Sequence, residues 1–392
     1  MAKYALSVLT AALLLAVLPT EGGQPSDERA RALAKVQALG GDTFGPDSVG
    51  FHQASPVTDA DLECLKSLTD LRCVDLDHVD ITDEGLKWLD ELVNLRELYL
   101  DCSKITGTGL KYLKSLHHLE VLKIDWNSGI NDAGLEQIKG ITSLRELMLH
   151  GYGFSDTGVA HLQELTGLRS LTISGKFTDA GLKHLRAMTR LDDLEVCSSE
   201  ITDAGLGALE TLTSLRGLSL YGEKITDEGL VHVRKLTNLR GLRLTGTSVT
   251  GSGFESLKLL PLRSLTLTGC KTVSDEGLVH LKEMRDLEEL NLWYTGISDD
   301  GLKELRPLSK LKRLEIGLTK ITDAGLEHLQ ELKSLESLGL YGTAITDAGL
   351  VHLKGLANLS VLEIGRTKVT EAGVQRLRQM LPNLKIIQRG RH

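Results

Sequence analysis

The phrase Ile-Thr-Asp-Ala-Gly-Leu occurs at 201–206, 321–326 and 345–350, and variants of it begin at Ile81, Ile225, Val249, Val273, Ile297 and Val369. Its glycine sets a phase that can be followed through Gly85, Gly109, Gly134, Gly158, Gly181, Gly205, Gly229, Gly253, Gly277, Gly301, Gly325, Gly349 and Gly373. The spacing is 24 residues, with one interval of 25 and one of 23. A fixed period of this size marks an array of stacked units. The usual division of a 392-residue chain into two or three domains therefore does not apply.

Each period has two halves. The first reads L-x-x-L-x-L, as in Leu95, Leu98 and Leu100, or Leu335, Leu338 and Leu340. Its alternation has the period of a strand, with one set of side chains inward and the other outward. The second half reads T-D-x-G-L-x-x-L. Thr82 suits a helix N-cap, Asp83 and Glu84 suit the positive end, and Leu86 and Leu89 share one face. The same helix-start role is expected of Asp132, Asp156, Asp179, Asp203, Asp227, Asp275, Asp299, Asp323 and Asp347. One such unit cannot bury its own apolar face, so neighbours must stack and share strand hydrogen bonds and a continuous core. Fourteen strands at about 4.8 Å make an arc of roughly 60 Å, and the wider helices force the sheet onto the concave side. The phase glycine weakens a helix interior. Its retention points either to backbone crowding or to a special dihedral. Thr247, Thr295, Thr319, Thr343 and Thr367 are expected to bond loop groups between units.

These residues resemble a leucine-rich-repeat protein. The ITDAGL variety is similar to the cysteine-containing class of F-box substrate adaptors, with Thr here where that class often has Cys. The 24-residue form, with 34–41 reading AKVQALGG, resembles planctomycete-type bacterial repeat proteins. The resemblance covers 49–381. It implies an α/β leucine-rich-repeat solenoid of about 14 repeats: a right-handed curved horseshoe, its parallel sheet concave and its short helices convex. The motif is specific for fold and says nothing specific of function.

The expected organisation is a signal peptide over 1–22, a capping helix and linker over 24–47, a solenoid over 48–381, and a terminal strand with a basic tail over 382–392. Lys3, the apolar run over 5–18 and the break at 19–24 resemble a secretory signal. The run is short for a membrane span, although a retained anchor is the alternative to cleavage. Ser26 is placed to cap a helix with Leu33, Val36 and Leu39 on its apolar edge, ending at Gly40 and Gly41. Val49 and Phe51 suggest a degenerate first strand.

Motifs for chemistry are missing. There is no G-x-S-x-G, H-E-x-x-H or G-x-x-x-x-G-K-[ST], and Gly151, Gly153, Gly251 and Gly253 lack the rest of a dinucleotide fingerprint. His161, His184, His232, His280, His328 and His352 stand three residues after the phase glycine, which suggests a metal stripe. Packed helices 8–10 Å apart cannot bring such a stripe onto one zinc ion, so duplication of a unit explains it. Calcium would need convergent oxygens that spread-out aspartates do not offer. Five cysteines without paired spacing suit neither a disulfide framework nor a zinc site. The reading is therefore non-enzymatic, with no cofactor and no metal. A formal charge of −8 argues against nucleic acid.

Outward strand positions contribute little to the core, so a non-random set there suggests a binding surface. Two patches emerge. One holds Asp75, Asp77, Tyr99, Asp101, Asp125, Trp126 and His150; the other holds Trp293, Tyr294 and Tyr341, with Tyr221 between them. Aromatics flanked by charges are typical interface anchors. The sequence thus points to an exported scaffold (periplasmic, surface or secreted) binding a protein or glycan on its concave face. The alternative is a substrate-recognition adaptor that resembles F-box repeat proteins but lacks an F-box.

Overall fold

The computed structural model describes residues 25–51, 55–101, 104–125, 129–151 and 153–388. The expected signal segment, Cys102, Trp126 and the basic tail at 389–392 lie outside the described residues. A sixteen-stranded sheet runs in strict sequence order from β1 (Gly41–Gly45) and β2 (Ser48–Phe51) to the last strand, β16 (Lys385–Ile387). β1 and β2 pair antiparallel, and the remaining fourteen strands continue from β2 in parallel, one per repeat. The chain folds as a leucine-rich-repeat solenoid.

The N-terminal end departs from the expected linker. Helix α1 (Pro25–Ala38) stops before Gly40, whose φ of 77° turns the chain. Residues 41–51 then form a hairpin rather than a linker. Gly41 is required there, since a Cβ would meet the Phe51 ring and Val36 at 2.8 Å. Val36 and Phe51 are buried and join α1 to the first strands.

Strand leucines such as Leu98, Leu100, Leu338 and Leu340 are fully buried, as are Leu86 and Leu89 from the helical half. One hydrophobic core runs the length of the array. The helical halves are shorter and tighter than a regular α-helix. Gly85–Leu89 and Thr108–Leu113 are 3₁₀ turns, and Asp179–Leu182 is one α turn that tightens into 3₁₀ over Lys183–Ala187. Runs this short tolerate 3₁₀ geometry, and its tighter turn keeps each repeat compact.

The repeated aspartate does more than begin a helix. Its carboxylate crosses to the next repeat and accepts both the amide and the hydroxyl of that repeat's Thr or Ser. Asp179 takes Thr202 N and Oγ1 at 2.8 and 2.6 Å. The same pair links Asp59 to Thr82, Asp132 to Ser155, Asp275 to Ser298, Asp323 to Thr346 and Asp347 to Thr370. The bridging hydroxyl often also caps its own helix, as where Thr178 accepts Ala180 N. The phase glycine is explained by the same contact. It has no left-handed dihedral; instead, a side chain at Gly85, Gly181 or Gly205 would collide with the aspartate of the preceding repeat. Crowding, not backbone freedom, fixes it.

The small polar residue that closes each strand behaves differently from expectation. Thr295, Thr319, Thr343 and Thr367 donate to carbonyls three residues back in their own repeat, at 2.6–2.7 Å. Of the five, Thr247 reaches the next repeat, at Cys270 Sγ.

Two predictions follow from the aspartate bridge. Gly205→Ala is expected to cost about 1–3 kcal/mol through overpacking, and Asp179→Ala a similar amount by stranding the Thr202 donors. The double variant should lose clearly less than the sum, because removing the carboxylate makes room for the methyl. Urea unfolding of the three variants measures this, and simple additivity would refute the contact.

The second concerns pH. Burial pushes Asp227 up, but hydrogen bonds from Thr250, Gly253 and Ser252 overcome it and hold its carboxyl below the ordinary 3.8. A depressed folded value means that its contribution is present above the unfolded value and lost as pH falls through the folded one. Asp227→Asn should therefore destabilise the protein at neutral pH, with the difference disappearing in acid below the ordinary carboxylate range. Unfolding free energies across that range test this.

Candidate functional site

Parallel register turns the outward strand positions into straight ladders across the concave face. One contains Glu97, Val121, Glu146, Ser170 and Asp193, and the next contains Asp75, Tyr99, Lys123, Met148, Thr172 and Glu195. Residues 23 to 25 apart in sequence thus become immediate neighbours. Opposed pairs on one face of a sheet interact directly.

The first patch is brought together and held rigid. Asp77 N donates to Asp75 Oδ1 at 3.0 Å, and Asp101 N donates to Asp77 Oδ1 at 2.9 Å. His78, at φ 62°, sets its ring 3.0 Å from Asp101, and the His150 ring lies 2.5 Å from Asp125. Tyr99 donates to Glu97 at 3.0 Å while its ring receives Lys123, whose ammonium also pairs with Glu146 at 2.6 Å. Burial raises the carboxyl of Asp77, reinforced by Asp75 and Asp101 against the Asp101 amide and His78. Burial likewise raises Asp101, with Asp125 adding to it and His78 opposing. Burial and the Glu97 carboxylate push the Tyr99 hydroxyl far up, so it remains a hydrogen-bond donor. His78, held in the patch, belongs with the candidates.

The second patch is built differently. Trp293 and Tyr341 stack with centroids 5.3 Å apart and planes at 23°, although they are two repeats apart. Gly317 lies between them, and a Cβ there would meet the indole at 2.5 Å. Arg366 lies 5.6 Å from the Tyr341 ring. Tyr341 is only 4% exposed, so it supports Trp293 from beneath and is not an open contact residue. This corrects the sequence reading, which could not see that a glycine would let the indole fold over. Tyr294 is 46% exposed at the strand exit, with φ 56° and Lys271 over its ring at 4.8 Å. Tyr221 stands apart from both patches and receives the Arg243 guanidinium on its hydroxyl at 3.4 Å.

Between the patches lies a stretch of outward residues that the sequence reading assigned to neither. The outward residues here are small: Ser170, Thr172, Gly217, Ser219, Gly241 and Thr266 floor a shallow hollow of about 190 Å³. Asp193 and Glu195 stand on one side and Arg243 on the other. Glycine at an outward strand position was the available signal.

The other expected stripes resolve into local contacts. Five of the six convex histidines meet a side chain of the preceding repeat: His184 meets Gln163, His232 meets Glu210, His280 meets Glu255, His328 meets Arg306 and His352 meets Gln330. Among the described residues, no three metal-ligating side chains converge. Cys64, Cys73, Cys197 and Cys270 are free thiols.

Three segments, 115–139, 283–305 and 308–329, match the family model described as Leucine Rich repeat. No curated protein matches the chain. Among solved structures, an internalin (InlF) of Listeria monocytogenes superposes with a TM-score of 0.56 at 23% identity, covering 94% of this chain and 96% of that one. A leucine-rich-repeat protein of Leptospira interrogans gives 0.53 at 19%, covering 83% and 80%. The ectodomain of the receptor kinase GASSHO1/SCHENGEN3 of Arabidopsis thaliana, in complex with CASPARIAN STRIP INTEGRITY FACTOR 2, gives 0.50 at 17%, covering 83% of this chain and 45% of the receptor. Repeat phase, sheet order and these likenesses agree on a leucine-rich-repeat solenoid.

Proposed function

We propose that the protein is a non-catalytic recognition scaffold that binds a protein ligand on its concave face. The observation carrying this reading is that the outward side chains are fixed in place by one another. Asp77 holds Asp101, His150 meets Asp125, and Tyr341 supports Trp293. Binding costs are lowest when contact groups are already ordered, and solvated strand residues without a partner have no need of such ordering. Tyr, Trp and charged residues in this arrangement suit a protein surface. The plant receptor that shares the fold is in complex with CASPARIAN STRIP INTEGRITY FACTOR 2, which is analogy at the level of fold. A glycan ligand is the competing outcome of the test. The adaptor reading has only fold analogy behind it. Among the described residues, the helical segment ahead of the repeats is α1, whose buried face serves the solenoid.

Export is part of the proposal, supported by Lys3 and the apolar run over 5–18. No helix among the described residues is long and apolar enough to cross a membrane.

For the test, immobilised wild-type protein is offered extract and secreted material from its own source, beside Tyr99→Ala/Asp125→Ala/Trp293→Ala and a convex control, Val351→Lys. A ligand retained by wild type and control but lost by at least about tenfold in the triple variant is expected; equal retention by the triple variant would refute the concave site. A captured glycan would replace the protein reading. N-terminal sequencing of the mature protein after cell fractionation should find it outside the cytoplasm, starting beyond the apolar run; an intact Met1 in the cytoplasm would reject export.

A further inference from the structure

The hollow at the centre of the concave face has a charge arrangement that the flanking patches lack. Asp193 and Glu195 lie on one strand, and Arg243 lies two strands further on. On the first ladder, Asp193 is followed by Gly217, Gly241 and Ser264; on the second, Glu195 is followed by Ser219, Arg243 and Thr266. The strands that carry the acidic and basic residues are two spacings, about 9.6 Å, apart.

Both charges are set in place. The Asp193 carboxylate lies across Gly217, where any side chain would collide with it. Arg243 is tethered by the Tyr221 hydroxyl at 3.4 Å. Among the described residues, no ion pair joins Glu195 to Arg243, although the Glu195 charge acts on the guanidinium, and the small outward residues leave a hollow above them. Gly241 is the telling position: a Cβ there would find nothing nearer than Arg216 O at 4.0 Å. Unlike Gly217, it is not needed to clear a neighbouring side chain, and its backbone is not left-handed. It leaves room without serving the fold. Burial, helped by Asp192 and opposed by Arg216, raises the Asp193 carboxyl.

We propose that this hollow seats an extended peptide segment of the ligand carrying a basic residue and, two positions on, an acidic one. The basic side chain lies against Asp193 and Glu195, and the acidic one pairs with Arg243. Residues i and i+2 of an extended chain point the same way about 6.6 Å apart, and their side chains reach the rest of the span. An uncharged glycan offers neither charge. This inference rests on the concave-face reading and names the chemistry at its centre.

A displayed library of random linear peptides is panned on the full-length wild type, on Gly241→Phe and on Arg243→Glu, with circular dichroism and melting confirming that each variant is folded. Wild-type selections should be enriched in basic-x-acidic pairs. The selected peptides should lose at least about tenfold in affinity on Gly241→Phe, which fills the hollow without disturbing the fold. Arg243→Glu should shift enrichment to basic-x-basic, since reversing one charge reverses its preferred partner. Selected peptides without that pair, or indifferent to Gly241→Phe, would overturn the seat and leave the concave reading standing if the Tyr99/Asp125/Trp293 variant still loses its ligand. No enrichment on any form would also overturn the seat, while loss of the concave reading shows itself separately in the capture experiment.

Discussion

A carboxylate in one repeat closes on the amide and hydroxyl of the next, and the architecture depends on that contact. The aspartate needs two donors presented at a fixed distance, which Thr or Ser at the helix start supplies. It also needs an empty place beside it, which the phase glycine supplies. The three residue types form one device: the acid fixes the spacing, the hydroxyl residue fixes register and often caps its own helix, and the glycine sets how closely the convex side can pack. Charge-assisted hydrogen bonds of this kind are stronger than neutral ones, and repeating them along the array specifies one stacking mode among many that the leucines alone would permit.

The bridge has two interruptions. Gly107 and Gly251 stand where the aspartate belongs, at φ 101° and 102°. In both places the glycine backbone itself fills the gap: a Cβ at Gly134 would lie 2.9 Å from Gly107 Cα, and Gly277 is equally crowded by Gly251 and Thr250. Asp83 and Asp227, in the repeats just before, compensate by gathering extra donors. Asp83 takes Thr106, Gly107 and Thr108, and Asp227 takes Thr250, Gly251 and Gly253. The stack therefore tolerates loss of a bridge when two glycines allow the backbones to meet directly.

Because inward leucines and convex bridges carry the fold, the outward strand residues are free of that duty. This explains why the fold was legible in the sequence and the surface only partly so. Period, strand alternation and helix-start chemistry are local and repeat many times, so Leu98, Thr82 and Gly85 declare their roles. The partner of Asp179 was not legible, since a bond to Thr202 crosses 23 residues and looks like ordinary first-turn acidity until the repeats are stacked. Thr295 and its equivalents were misassigned for the opposite reason: a bond three residues back is local, and stacking suggested a longer reach. The hairpin over 41–51 follows no repeat and could not be read from the period. Tyr341 was placed on the correct face but at the wrong depth, because depth depends on what neighbouring repeats omit.

Omission shapes this surface as much as the side chains present. An outward glycine removes the barrier between repeats that are not adjacent and lets a neighbour's side chain cross. Trp293 crosses Gly317 to reach Tyr341, Asp193 lies over Gly217, Glu315 lies over Gly339, and the Phe44 ring covers Gly50. In each case, the glycine makes room for a neighbouring side chain to lie along the sheet. Gly241 is different: it opens space that no neighbour fills. A concave wall made from one repeated unit would otherwise present uniform columns. Where glycines fall on the ladders determines which columns collapse into ordered platforms and which remain open, so the position of an outward glycine carries information about recognition that aromatic and charged residues alone do not.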